Sequence, residues 1–432
     1  MLIQNLSLKN FKCFEEVDVE FAPITLLTGA NSSGKSSLIY SLLAVLQTEQ
    51  FPFYLSPNGK YVNLGGFEEM VWKGSIEEDL GITLKLKDIT ISTTWLENSE
   101  NGLPYIVKCV FEDKDEIQTF NDDGNISIII KKANQNVKIK HKELEELLDN
   151  LTINKSETQV EIHGINTDTT FDTLSPLLSK LIPGDSIYSA ITDIEEFFWS
   201  IYNNESELPF NYIGSFRQPP ERTYYQKAKA QSKVDTDGAG YIDQIIEWEE
   251  TNPEKLAELA KIMSELELFQ EIRSNKFKGG RFELAVKTQK NSEMAALTDV
   301  GFGISQFLPI IVADLQLDDH SCLALSQPEI HLHPKIQALF GNFLANQVKR
   351  TQKQYIVETH SEYLLNRIRL LLVKGELKPE DVRVYYFEND GIKTTTHKVE
   401  FATDGQIKGA PQGFFDTYAI DVMDIAMNSF AD

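Results

Sequence analysis

The chain has 432 residues, 41% of them hydrophobic and 25% charged, a balance that excludes a disordered or collagen-like polymer. Against 41 Lys and Arg stand 65 Asp and Glu, a formal net charge of −24, which disfavours a large sequence-blind grip on bare DNA but leaves room for a local basic groove. Cys13, Cys109 and Cys322 lie far apart, with neither metal-ligand spacing nor a disulfide framework. No run approaches the ~20 apolar residues that cross a bilayer, and the first residues alternate without the apolar block of a signal peptide. These features predict a soluble protein of a reducing, cytoplasmic compartment, long enough for two or three compact units.

In chain order, Leu2–Glu20 predicts a hairpin, with Leu6 and Leu8 on one half and Val17 and Val19 alternating on the other. Ile24–Thr28 is a nearly continuous apolar run, as expected of a strand buried on both faces. A glycine-rich loop follows, then Ser36–Gln47 with leucines at helical spacing. Tyr61–Trp95 alternates and predicts further sheet. From Leu96 to Leu208 the composition turns polar, with a β-like run at Ile126–Ile130 and helical patterns at His141–Leu151 and Ile191–Tyr202; this predicts an insertion. Tyr241–Arg273 is acidic and helix-patterned. Apolar strand patterns return at Cys322–Leu325, Tyr355–Val357 and Val382–Phe387, separated by helical patterns at Lys335–Val348 and Glu362–Val373, the rhythm of a layered α/β sheet. Asp390-Gly391 predicts a type I′ hairpin turn.

The loop Gly29-Ala30-Asn31-Ser32-Ser33-Gly34-Lys35-Ser36 fits G-x-x-x-x-G-K-[ST] at every position, between a buried strand and a helix. Its glycines let the backbone wrap phosphates, and successive N–H groups and the helix N-terminus supply positive potential. Asn31, Ser32, Ser33, Gly34, Lys35, Ser36 and Ser37 are therefore the nucleotide-binding candidates, with Lys35 reaching the β- and γ-phosphates and the Ser36 hydroxyl coordinating Mg²⁺. A P-loop ATPase also needs a carboxylate at a neighbouring strand end for Mg²⁺ and a group that orients water. The candidates are Ser326-Gln327-Pro328-Glu329-Ile330-His331-Leu332-His333 and Glu358-Thr359-His360-Ser361, each at the end of an apolar strand. Asp299-Val300-Gly301-Phe302-Gly303-Ile304-Ser305-Gln306 forms a second phosphate-friendly helix start.

Together these motifs resemble the ATPase head shared by ABC, SMC-type and RecF-like proteins. Within that group the chain is similar to the prokaryotic OLD-like and PtuA-like ATPases of anti-phage defence. The resemblance rests on Leu8, Asn10, Phe11, Lys12, Cys13 and Phe14, the phosphate loop, G-x-G-x-S-Q, QPEIHLHP, ETHSEYLLNR, and the segments Tyr212–Pro220 and Pro411–Asp416. It implies an α/β P-loop head of the ABC/SMC type with an inserted α+β and helical region. The corresponding division is an N-lobe at 1–95, an insertion for dimerisation or partner docking at 96–289, and a C-lobe at 290–432. It implies that Gly303 and Ser305 act in trans, closing over the γ-phosphate of a partner subunit so that two ATP molecules are sandwiched between two heads. His360 matches the switch histidine, and His331-Leu332-His333 the dimer-seam loop. Where ABC heads read Asp-Glu-Pro, this chain reads Ser326-Gln327-Pro328: a weaker metal ligand, and a glutamine that cannot accept a proton. Lys35, Gln327, Glu329 and His360 are the catalytic candidates, Ser36 and Ser326 the metal candidates, and Glu329 or Glu358 the carboxylate that would stand in. Hydrolysis is then expected to be slow or partner-dependent.

Weaker signals have plainer readings beside them. His331 and His333 suit packing or seam contacts better than zinc. Basic groups at Lys131–Lys142, at Arg217, Arg222, Lys227, Lys229 and Lys233 with Tyr224 and Tyr225, and at Lys276, Lys278 and Arg281 are either solvated loops or nucleic-acid contacts. The acidic helix from Glu247 to Glu267 is either a solvated face or a dock for a basic partner. No nuclease signature is present, and the roughly 70 residues after His360 are too few for another catalytic domain of ordinary size. Three functions compete. One is an ATP-held switch that dimerises, assembles further and controls a separate effector, a nuclease by resemblance, in anti-phage defence. The second is a RecF/SMC-like ATPase of DNA repair or recombination; no heptad arm supports the SMC form. The third is a scaffold with structural ATP.

Overall fold

The computed structural model describes residues 3–48, 51–52, 54–75, 79–86, 89–112, 115–122, 125–132, 152–155, 159–166, 209–225, 230–411 and 414. Strands β1 (Ile3–Phe11) and β2 (Phe14–Glu20) form the N-terminal hairpin, and β3 (Ile24–Gly29) runs into helix α1 (Lys35–Leu46). A short helix, α2 (Phe67–Met70), precedes β4 (Leu80–Leu86), β5 (Ile89–Glu97), β6 (Pro104–Glu112), β7 (Asp115–Asp122), β8 (Asn125–Lys132), β9 (Thr152–Lys155) and β10 (Gln159–Asn166). Then come β11 (Phe210–Ile213), β12 (Tyr224–Tyr225), α3 (Tyr241–Thr251), α4 (Pro253–Glu265), β13 (Glu271–Lys276), β14 (Arg281–Lys287), β15 (Ala295–Ala296) and α5 (Phe302–Gln316). The chain closes with β16 (Cys322–Ser326), α6 (Pro334–Thr351), β17 (Gln354–Glu358), α7 (Glu362–Val373), β18 (Val382–Asn389), β19 (Thr394–Phe401) and β20 (Ile407–Lys408).

The central sheet has the order β11-β16-β17-β3-β18-β19-β20, with its first five strands parallel. Parallel strands need cover on both faces, and the alternation shows it. Cys322, Ala324, Ile356, Leu27, Tyr385 and Phe387 face a core shared with β1, β2, β4, β5 and α1. Leu323, Leu325, Tyr355, Val357, Leu26 and Val384 face a second core, filled by α3 to α7. Helix α5 is buried almost all round from Ile304 to Leu315, which explains its lack of a polar stripe.

The first core is roofed by a nine-stranded sheet, β2-β1-β4-β5-β6-β7-β8-β10-β9. β5 runs through position 95, and β6 to β10 add to the same sheet. A small sheet, β12-β14-β13 with β15 on β14, is built from strands before α3 and after α4.

Three expectations are corrected. Residues 61–75 are not strand: positive-φ Gly65 and the bond from Gly66 N–H to the Glu69 carboxylate (2.8 Å) start α2 instead. The helical pattern from Tyr241 ends at Glu265, and Glu271–Lys276 is a strand whose inward residue is Ile272. The hairpin at Asp390-Gly391 has a four-residue loop, because Asn389 pairs with Thr394. Only Gly391 there has positive φ, whereas a type I′ turn needs two such residues. The helices expected at His141–Leu151 and Ile191–Tyr202 lie outside the described residues.

Candidate nucleotide site

Strands β3, β16 and β17 end side by side: Ser326 pairs with Glu358, and Glu358 with Leu27. Ligands of open α/β sheets bind at such carboxyl ends. The loop after β3 turns at Gly29 (φ 138°) and Gly34 (φ 103°). A Cβ on Gly29 would lie 2.2 Å from the Phe387 carbonyl oxygen, and one on Gly34 2.8 Å from Cys13 Sγ, so neither position accepts a side chain. Two hairpins brace the loop: Thr394 donates from Oγ1 to the Ser33 carbonyl (3.0 Å) and from N–H to the Cys13 carbonyl (2.8 Å).

Lys35 is buried, and its ammonium donates to the Gly29 (3.1 Å) and Ala30 (2.6 Å) carbonyls and to Ser33 Oγ (3.3 Å). Burial pushes its pKa down, opposed by Glu358 and Glu329. Asn31 and Ser32 are exposed at the loop crown; Ser36 and Ser37 are half-buried in the first turn of α1.

Glu358 joins the strand ends. Its Oε1 accepts from Ser36 Oγ at 2.8 Å and its Oε2 from Ser326 Oγ at 2.9 Å. Tyr212, on β11, is 3.1 Å from Ser326 Oγ. At this strand end Ser326 carries no carboxylate of its own and instead donates to the carboxylate of the next strand. Oxygen donors of this kind suit Mg²⁺, so the residues present fit a magnesium–nucleotide ligand.

Gln327 takes a left-handed conformation (φ 47°) while its N–H donates to the Glu358 carbonyl (2.7 Å). Its carbonyl accepts from Arg217 Nη2 at 2.8 Å. Glu329 Oε1 accepts from the His360 N–H at 2.7 Å, and Oε2 is buried without a partner among the described residues. Burial pushes the Glu329 carboxyl up, opposed by hydrogen bonds from His360 and Thr359 and by the Arg217 charge. Arg217 is 3% exposed, and its Nε and Nη1 are likewise buried without a partner among the described residues. Burial brings its pKa down to about 10, opposed by Glu329 and Tyr212. His360 is pushed below the ordinary histidine range by burial and by Lys35, so it is neutral at pH 7.

Lys35, Ser36, Ser326, Gln327, Glu329 and His360 are thus brought together. For Gly303 and Ser305, no hydrogen bond among the described residues joins them to the phosphate loop. Ser305 Oγ donates to the Phe302 carbonyl (2.9 Å), and a Cβ on Gly303 would lie 2.6 Å from the His331 carbonyl oxygen. His331 packs edge-on against Phe302, with centroids 5.0 Å apart. Among the described residues no group of three metal-ligating side chains is present around these histidines or elsewhere. Sequence reasoning missed Arg217 and Tyr212 as site residues. Both stand in the Tyr212–Pro220 segment, whose Arg among exposed prolines reads as a surface cation.

A family profile described as an AAA ATPase domain matches residues 1–365. The chain belongs to that family. A second profile, described as a protein of unknown function (DUF3696), matches residues 377–425. Among solved structures the chain is similar to the SMC head domain from Thermotoga maritima, at 12% identity and a TM-score of 0.39, covering 93% of this chain and 100% of that one. It is also similar to an SmcHead bound to the C-winged helix domain of ScpA (12%, TM-score 0.41, covering 93% and 98%). A third is an Smc head domain with an extended coiled coil bound to the C-terminal domain of ScpA, derived from Pyrococcus furiosus (10%, TM-score 0.40, covering 99% of each). No curated protein matches the chain. Among the described residues no helix is long and apolar enough to cross a membrane.

Proposed function

We propose that this AAA-family ATPase head binds Mg²⁺–ATP, hydrolyses it slowly, and uses the bound nucleotide to close on a second head and control a separate effector protein. The observation that carries this reading is the Glu358 carboxylate shared between Ser36 and Ser326. It supports metal binding at a strand end that has lost its own acids. Mg²⁺ held by Ser36 and Glu358 would draw charge from the β- and γ-phosphates. Lys35 would exchange its loop carbonyls for phosphate oxygens, and neutral His360 would offer a hydrogen bond without adding charge.

Proton transfer is the weak step. Gln327 orients water but takes no proton, and Glu329 spends one oxygen on the His360 N–H. Its other oxygen, buried and unpartnered among the described residues, is the remaining base. Slow turnover suits a clamp whose closed state persists. Gly303 and Ser305, which make no hydrogen bond to the phosphate loop of their own chain among the described residues, fit a role over the nucleotide of a partner head. The motifs shared with OLD-like and PtuA-like ATPases support a nuclease as the effector, anti-phage defence as the setting, and assembly beyond the dimer.

The test is the nucleotide content and solution mass of the purified protein, repeated with Lys35→Ala. Intact ATP is expected, in a dimer or larger assembly that Lys35→Ala dismantles. Brisk turnover with only ADP recovered, or equal masses for both proteins, would sink the proposal.

A further inference from the structure

In the small sheet, β12 pairs with β14 so that Tyr225 faces Arg281, and β14 pairs with β13 so that Lys276 faces Phe282. The Phe277 N–H donates to the Arg281 carbonyl at 2.7 Å, extending that ladder by one step. Tyr225, Arg281 and Phe277 therefore form one cross-strand row. Residues directly opposite share a face, so the three side chains stand on the same side of the sheet.

The neighbouring row, Tyr224, Phe282 and Lys276, belongs to the other face. Phe282 is buried, Tyr224 lies against it with ring centroids 5.7 Å apart, and Lys276 pairs with Glu250 at 2.5 Å. The packing need of the sheet is met there. The outer row takes no part in it: Tyr225 is 70% exposed and Phe277 47%. Arg281 and the adjacent Lys278 are exposed and have no carboxylate partner among the described residues. Glu283, the acid next along that face, is held by Asn275 Nδ2 at 3.0 Å. Gly279 and Gly280, where an added Cβ would meet nothing within 4 Å, leave the hairpin tip open above the row.

We infer that this aromatic–arginine–aromatic row is a stacking platform for single-stranded nucleic acid. With strands about 4.8 Å apart, the two rings lie about 10 Å apart on either side of Arg281, a separation that bases one or two nucleotides apart on an extended strand can span. Bases stack on Tyr225 and Phe277, and Arg281 with Lys278 receives the phosphates between them. Stacking of this kind tolerates any base, and Arg281 with Lys278 supplies a local positive charge within a chain of net charge −24. The inference does not depend on the nucleotide reading, since no residue is shared.

The experiment is fluorescence anisotropy of the full chain with labelled oligothymidylate of about 16 nucleotides, with oligouridylate as a second arm to separate DNA from RNA. Saturable binding is expected, weakened about tenfold by Tyr225→Ala or Phe277→Ala and lost with both. Arg281→Glu should weaken it similarly. Tyr225→Phe with Phe277→Tyr keeps both rings and should retain affinity, which guards against a folding defect in the alanine variants. Absence of saturable binding to either strand, unchanged affinity in the double alanine variant, or equal affinity for a duplex of the same length would each overturn the inference.

Discussion

The Glu358 carboxylate reaches Ser36 on one side (2.8 Å) and Ser326 on the other (2.9 Å), tying the first turn of α1 to the end of β16. A carboxylate one strand away thus lies beside a strand end that carries no acid of its own. Glu358→Gln keeps the shape and removes the charge. Magnesium-dependent ATP affinity should fall about 10–100-fold, measured by calorimetry with and without Mg²⁺. Glu329→Gln should spare that affinity and slow turnover instead. Equal effects of the two substitutions on Mg²⁺-dependent binding would refute this division of labour.

Arg217 holds the Gln327 carbonyl and supplies a positive charge that opposes the burial of Glu329. Arg217→Met should retain ATP binding but reduce turnover, and should move the acid limb of the pH–rate profile upward, because Glu329 loses that charge. Lysine should not rescue, since it lacks the planar fork. An unshifted limb in Arg217→Met would show that Arg217 acts through packing alone.

In the interior, Asp314 is wholly buried, and its carboxylate meets Tyr355 OH (2.7 Å), Gln347 Nε2 (2.9 Å) and Lys353 Nζ (3.5 Å). Burial pushes its pKa up, with Lys353 the largest opposing influence. Lys353→Met strands the carboxylate and should cost about 3–5 kcal/mol in denaturant unfolding. Adding Asp314→Asn should recover much of that loss; a double variant no more stable than the single one would argue against the pairing.

Lys233 is buried, with its ammonium donating to the Phe210 carbonyl at 2.7 Å. Burial, and secondarily Lys60, lowers its pKa to about 7. The folded state therefore prefers the neutral amine. Its contribution is fully favourable only above the ordinary lysine range and is lost as pH falls toward about 7. Unfolding free energy should rise with pH across that window, and Lys233→Met should flatten the rise. Parallel curves for the two proteins would count against it.

The phosphate loop was legible because it is local: its glycines, Lys35 and Ser36 lie within eight residues between a strand and a helix. The parallel strands were legible for the same reason, since continuous apolar runs such as Cys322–Leu325 must be covered on both faces. Residues 61–75 were not, because alternation there reflects loop and short-helix side chains packing on a core rather than a pleated ladder. Arg217 reads as one of several surface cations, and nothing nearby in sequence marks it as buried.

By itself, then, the order of residues determined the nucleotide loop, the strand–helix rhythm and the loss of the strand-end acids at Ser326 and Gln327. Short-range spacing suffices for these, because backbone geometry and hydrophobic period act over a few residues. Only the tertiary structure decided which carboxylate meets both Ser36 and Ser326. Glu358 lies 32 residues beyond Ser326 and 322 beyond Ser36, and it meets both only because β17 lies between β16 and β3. The same holds for Tyr225, Arg281 and Phe277, whose shared face depends on strand register, a property set by packing of the whole sheet.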